Sequence, residues 1–135
     1  MKVRVLLLIF LSLSLSAQEY AVVSNITVCE LSTKQIKAIF LKKLTHLDGI
    51  HFVPVNLPSS SKIRGEFEKK VLKIGKKRLK SYWVKQHYLG KRPPVIMKSQ
   101  KSAIKFTQNV LGSLTYVKVQ NLDPRLNVLY RWRDK

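Results

Sequence analysis

The sequence switches repeatedly between two hydrophobic periods, and that switching limits the folds open to it. Residues 19–25, "EYAVVSN", are β-branched and aromatic, the composition of a strand. "ELSTKQIKAIFLKKL" follows, with Ile36, Ile39, Phe40 and Leu44 on one helical face. Ser32 stands three residues before Gln35, the spacing of a capping box. After a turn at Asp48-Gly49, "IHFVPVN" at 50–56 reads as a second strand, and Pro54 suggests an edge position or a strand end. A chain that alternates strands with helices lays helices against a sheet.

The helical pattern then dominates. Ile63, Phe67 and Val71 recur every four residues after "SSS", with Lys69, Lys70 and Lys73 turned to water and Gly75 as the stop. A helix restarts at 76–90 with Leu79, Tyr82, Trp83 and either Gln86 or His87 on its inner side. "KRPPVIM" is a loop, because Pro93-Pro94 cannot continue a helix. Ser99 caps the next helix, whose apolar residues are Ala103, Ile104, Phe106, Val110 and Leu111, with Gly112 as its stop. Strands at 113–119 and 126–132 complete the order β-α-β-α-α-α-β-β, the pattern of an α/β domain.

The first residues stand apart from this pattern. Lys2 and Arg4 precede an apolar run from Val5 to Leu15 broken only by serines, and small Ala17 precedes Gln18. This is the anatomy of a cleaved signal peptide over 1–17; the other reading is an uncleaved N-terminal anchor. The run is short for a span, which needs about 20 apolar residues. No cysteine follows Ala17 to carry a lipid. The expectation is a periplasmic protein with one domain over 18–135. Cys29 lies among apolar residues in "ITVCELS" and reads as a buried thiol, with no basic partner nearby to activate it.

The chain holds 26 basic and 7 acidic residues, a net charge of +19. Setting aside Lys2 and Arg4 leaves a charge near +17. Such a balance ordinarily suggests nucleic acid, but export argues against that partner. Anionic lipid, anionic cell-wall or outer-membrane glycans, an acidic envelope protein or a small oxyanion remain, and a lineage-wide preference for lysine explains the charge equally. Tyr82, Trp83 and Tyr88 are interleaved with Lys76, Lys77, Arg78, Lys80, Lys85, Lys91 and Arg92. At helical spacing these aromatics read as core in preference to a stacking platform for single strands.

Enzyme constellations are missing. His46, His51 and His87 lack the spacing and cysteine partners of common zinc motifs and read as surface or edge residues. Glu66 and Glu68 are two apart, point to different faces, and read as solvated partners for lysines. There is no nucleophile elbow and no Gly-rich phosphate loop. The expectation is no enzyme, no metal and no cofactor.

The stretches "LSTKQIKAIFLKKLTHLDGIHFVPVNLPSSSKIRGEFEKKVL", "YWVKQHYLGKRPP" and "VLGSLTYV" together resemble single-lobe relatives of periplasmic phosphate-binding proteins, the phosphate ABC-transporter substrate-binding-like proteins. The likeness runs from about Val22 to Tyr130. It implies one lobe of a type II periplasmic-binding-protein fold and a binding or accessory module for transport. In that family the lobe offers an arginine and a Ser-Gly-Thr at a helix N-terminus. Ser61 matches the serine; Lys62 and Ile63 replace the glycine and threonine, and the arginine position falls near Leu57. Arg64 matches an arginine that often follows the motif. The resemblance thus implies a weak oxyanion site, for phosphate or a similar ion, at Ser60, Ser61, Lys62 and Arg64. The competing role for the three serines is helix capping and turn formation. The other function open to the chain is docking of its basic face on anionic envelope surfaces or an acidic protein.

Overall fold

A computed structural model describes residues 17–27 and 30–134. Most of the signal segment and Cys29 lie outside the described residues. The elements are β1 (Glu19–Ser24), α1 (Thr33–Phe40), β2 (His46–Leu47), β3 (Ile50–His51), β4 (Val53–Asn56), α2 (Lys62–Phe67), α3 (Lys76–Tyr88), β5 (Val95–Ile96), α4 (Gln100–Asn109), β6 (Ser113–Lys118) and β7 (Asn127–Arg133).

Five strands form a mixed sheet in the order β5-β4-β6-β1-β7. β4 runs parallel to both β5 and β6, while β1 is antiparallel to β6 and β7. β1 is buried along both faces. Tyr20 and Val22 join the main core with Ile36, Phe40 and Phe67. Ala21 and Val23 join Val117 and Leu126 in a smaller cluster, against which Ile104 of α4 packs. Alternation along one strand therefore fills both layers. An aromatic group closes the main core: Tyr20 stacks on Trp132 at 5.2 Å and Phe67 on Tyr116 at 4.2 Å.

The expected helices and long strands are present, and their starts are those the sequence marks. Ser32 and Gln35 make the reciprocal capping box, and Ser99 caps α4. Several details differ. The segment 50–56 is broken at Phe52: Ile50–His51 turns back on His46–Leu47 as a hairpin, and only Val53–Asn56 enters the main sheet. Pro54 is therefore on an interior strand. β5 pairs only with Val55 and Asn56, so Pro54 faces no strand on that side and its missing N–H breaks no ladder bond.

The helix after the serines ends in a π-helical turn over 68–72, and the left-handed residue that stops it is Lys73 (φ 54°). Gly75 instead sits at the N-cap of α3. The loop after Pro94 contains the short edge strand β5. On α3 only Leu79 is buried; Tyr82 and Trp83 are half-buried, and Tyr88 is exposed. Leu111 is exposed as well, because α4 stops at Asn109 and the chain has left the helix.

Candidate functional site

The serines stand at the C-terminal end of β4, beside the parallel strands β5 and β6. In open α/β sheets this is the edge at which ligands bind. A turn at Pro58–Ser61 is closed by the Ser61 N–H donating to the Pro58 carbonyl at 2.8 Å. Ser59 and Ser60 are exposed at its tip. Ser61 has extended backbone (φ −69°, ψ 128°), and its Oγ accepts from the Arg64 N–H at 3.4 Å. It is therefore the N-cap, with a long capping bond. Lys62 is exposed at the first helical position.

The fourth expected residue turns inward. Arg64 Nε donates to Glu68 Oε1 at 2.7 Å, and its Nη1 donates to the Leu57 carbonyl at 2.9 Å. Glu68 is buried, so the expectation that it is solvated is corrected: it is four residues from Arg64 on the same helical face and is its ion-pair partner. The same corner is braced from the sheet. Tyr116 Oη donates to Asn56 Oδ1 at 2.7 Å and accepts from the Leu57 N–H at 3.1 Å. Burial pushes the Tyr116 phenol well above its ordinary range, against the opposing pull of the Leu57 hydrogen bond and the Arg64 charge. The phenol stays protonated and works as a fixed donor.

The turn thus presents two exposed hydroxyls, the cap serine, Lys62 and the N–H groups of the first helical turn, while Arg64 lies beneath, its charge paired with Glu68. Beside it opens a groove of about 610 Å³, walled by Trp83, Val84 and Tyr88 of α3 and by Ile96 of β5. Ser59 and Arg64 lie at one end, and Lys76 and Lys80 stand on its rim. Sequence reasoning missed this groove. The signal for it is Tyr88 and Ile96, apolar residues that no helical stripe accounts for.

Across from the corner, Tyr82 leaves the groove and donates from its hydroxyl to the Leu41 carbonyl at 2.6 Å. The aromatic pair of α3 is therefore split: Tyr82 ties the helix to α1, and Trp83 walls the groove. Among the described residues no group of three histidine, cysteine or acidic side chains could hold a metal, and no helix is long and apolar enough to cross a membrane.

The architecture is that of one half of a type II periplasmic binding protein. Three solved structures carry the likeness. An ABC-type phosphate transport receptor from Vibrio cholerae matches with a TM-score of 0.67 and 14% identity, over 84% of this chain and 46% of the receptor. A protein from Clostridium perfringens with bound phosphate, described as a phosphate ABC transporter substrate-binding protein, gives 0.68 and 17% over 84% and 44%. PstS from Borrelia burgdorferi gives 0.63 and 18% over 84% and 47%. The chain therefore spans less than half the length of the structures it matches, and at these identities the likeness is one of fold. No protein-family model and no curated protein matches the chain.

Proposed function

We propose that this chain is an exported, non-enzymatic binding module of the phosphate-receptor type. In this reading residues 1–17 are removed on export and residues 18–135 act in the periplasm. The observation that carries it is the exposed serine turn at the ligand edge of a sheet whose fold is that of a phosphate-receptor lobe. A phosphate-class oxyanion there meets the hydroxyls of Ser60 and Ser61, the first-turn N–H groups and the Lys62 ammonium. Arg64 serves the site by fixing the helix base, since its charge is paired with Glu68 and its donors serve Glu68 and Leu57.

A single lobe leaves the ion wet, so each neutral contact is worth only about 0.5–1.5 kcal/mol. The expected affinity is on the order of millimolar, about −4 kcal/mol. Amide NMR with added phosphate tests this. Saturable shifts confined to 59–65 that vanish in Ser61→Ala and Lys62→Ala support the site. No shift at tens of millimolar phosphate defeats it and leaves the serines as a cap and turn.

A second reading is favoured by the groove. Its apolar walls and lysine rim suit an acidic amphipathic partner better than a small ion. In that case the module docks on an acidic protein or anionic envelope surface. Crosslinking in the periplasm from a groove position such as Val84 distinguishes the two: a specific adduct supports docking.

A further inference from the structure

The β2–β3 hairpin lines neither the serine corner nor the groove. Its turn residues Asp48 (φ 50°) and Gly49 (φ 78°) are both left-handed, the conformation that matches strand twist in a two-residue hairpin. Leu47 pairs with Ile50 and His46 with His51. Leu47 and Ile50 pack on the main core. Alternation therefore sends His46 and His51 to the opposite, exposed face. The Phe52 N–H bonds the Thr45 carbonyl at 2.8 Å just outside this pair. That places the histidines at a non-hydrogen-bonded position, where facing side chains come closest.

The rings meet. His51 Nδ1 and His46 Nε2 are 3.0 Å apart, and the ring centroids 4.5 Å apart. One of these nitrogens carries the proton between them and the other offers a lone pair. On the far side of the first ring, His46 Nδ1 lies 3.0 Å from Thr45 Oγ1. When Nδ1–H donates to that hydroxyl, the tautomer is set and Nε2 keeps its lone pair, the usual support of a metal-ligating histidine.

We propose that His46 and His51 form a two-histidine chelate for a borderline divalent transition-metal ion. The metal takes the place of the shared proton, and His51 passes to its other tautomer with its one proton on Nε2, so both rings bind as neutral imidazoles. Metal–imidazole bonds are about 2.0–2.1 Å, so two ligands at a right angle stand about 2.9 Å apart and two at a tetrahedral angle about 3.3 Å. The observed 3.0 Å is nearer the right-angle bite of Cu²⁺ or Ni²⁺, whose tetragonal sites complete themselves with water or other oxygen. Ca²⁺ and Mg²⁺ need oxygen ligands and are excluded.

The support is stiff. The Gly112 backbone (φ +82°) presses so closely on the hairpin that a Cβ there would lie 2.0 Å from the His51 carbonyl oxygen. The Val53 N–H also bonds the Gly112 carbonyl at 3.0 Å. His51 is thus held at the backbone while its ring stays accessible. The strongly basic chain opposes any cation, and Lys42 and Lys43 precede the hairpin. Chelation by two neutral rings must outweigh that repulsion.

The test is Ni²⁺ titration of untagged protein in a Cys29→Ser background, by calorimetry and by paramagnetic broadening of amide signals. The proposal expects one ion per chain, broadening centred on residues 45–52, and at least tenfold weaker binding in His46→Asn and in His51→Asn. His87→Asn is the control and leaves binding unchanged; Thr45→Val keeps both rings and weakens it. Mg²⁺ gives no signal. Broadening at His87 as strong as at the hairpin, or no more than a twofold loss in the paired variants, overturns the proposal.

Discussion

Arg64 shows how one side chain can be claimed by two roles. From its position after the serines it is an anion ligand; in the structure it is the partner of a buried carboxylate. Glu68 has its charge satisfied at 2.7 Å with both side chains largely out of water. Removing one member of such a pair leaves a buried charge uncompensated, at a cost of about 3–5 kcal/mol. Arg64→Ala should therefore lower the unfolding free energy by about that amount, read as a lower urea midpoint, with or without phosphate present. Replacing both residues by apolar ones of similar volume, as in Arg64→Met with Glu68→Leu, should recover most of the loss. If Arg64→Ala unfolds at the wild-type midpoint, the ion pair does not hold the helix base. The four-residue spacing of Arg64 and Glu68 is visible in the sequence. What it does not show is burial, which is set by how the helix packs on the sheet.

At the scale of elements, what could be read depended on length. The strands at 19–24, 113–118 and 127–133 and the capped helices carry enough periodic residues to stand out, and Ser32 and Ser99 mark their helices through local hydrogen bonds alone. The hairpin and β5 have two residues per strand, too few for any period. They exist because neighbouring backbone holds them: Met97 N–H bonds the Asn56 carbonyl beside β5, and Gly112 braces the hairpin. Gly112 reads in sequence as a helix stop, which hides its second task. Gly112→Ala meets both the left-handed φ, worth about 1–2 kcal/mol, and the clash with the His51 carbonyl. Thermal unfolding should show a loss larger than the φ term alone, and amide shifts should spread through residues 45–53. A loss confined to the φ term, with the hairpin signals unmoved, would mean that the close approach is relaxed without cost.

The whole molecule is half of a familiar architecture with a complete core of its own. Tyr20, Val22 and Trp132 fill one face of the sheet, and Ala21 and Val23 fill the other, so neither layer waits for a second lobe to cover it. The C-terminal edge of its parallel strands carries the serine turn, the groove and the exposed lysines of α3. The net charge of +19 makes that edge attractive to any anionic surface. The attraction acts through solvent and is screened beyond a Debye length of about 8 Å at physiological ionic strength. Lys76, Lys77 and Lys80 are all exposed at the start of α3, and Lys76 and Lys80 rim the groove. Binding to vesicles containing anionic lipid should therefore weaken steeply as salt rises. Reversing these three charges to glutamate should reduce both the binding and its salt slope. The same triple variant should keep its phosphate shifts at 59–65, because short-range hydroxyl and N–H contacts outlast a loss of remote charge. Vesicle binding that survives the triple reversal would show that the basic start of α3 is only a solvated face. The second reading would then rest on the apolar walls of the groove alone.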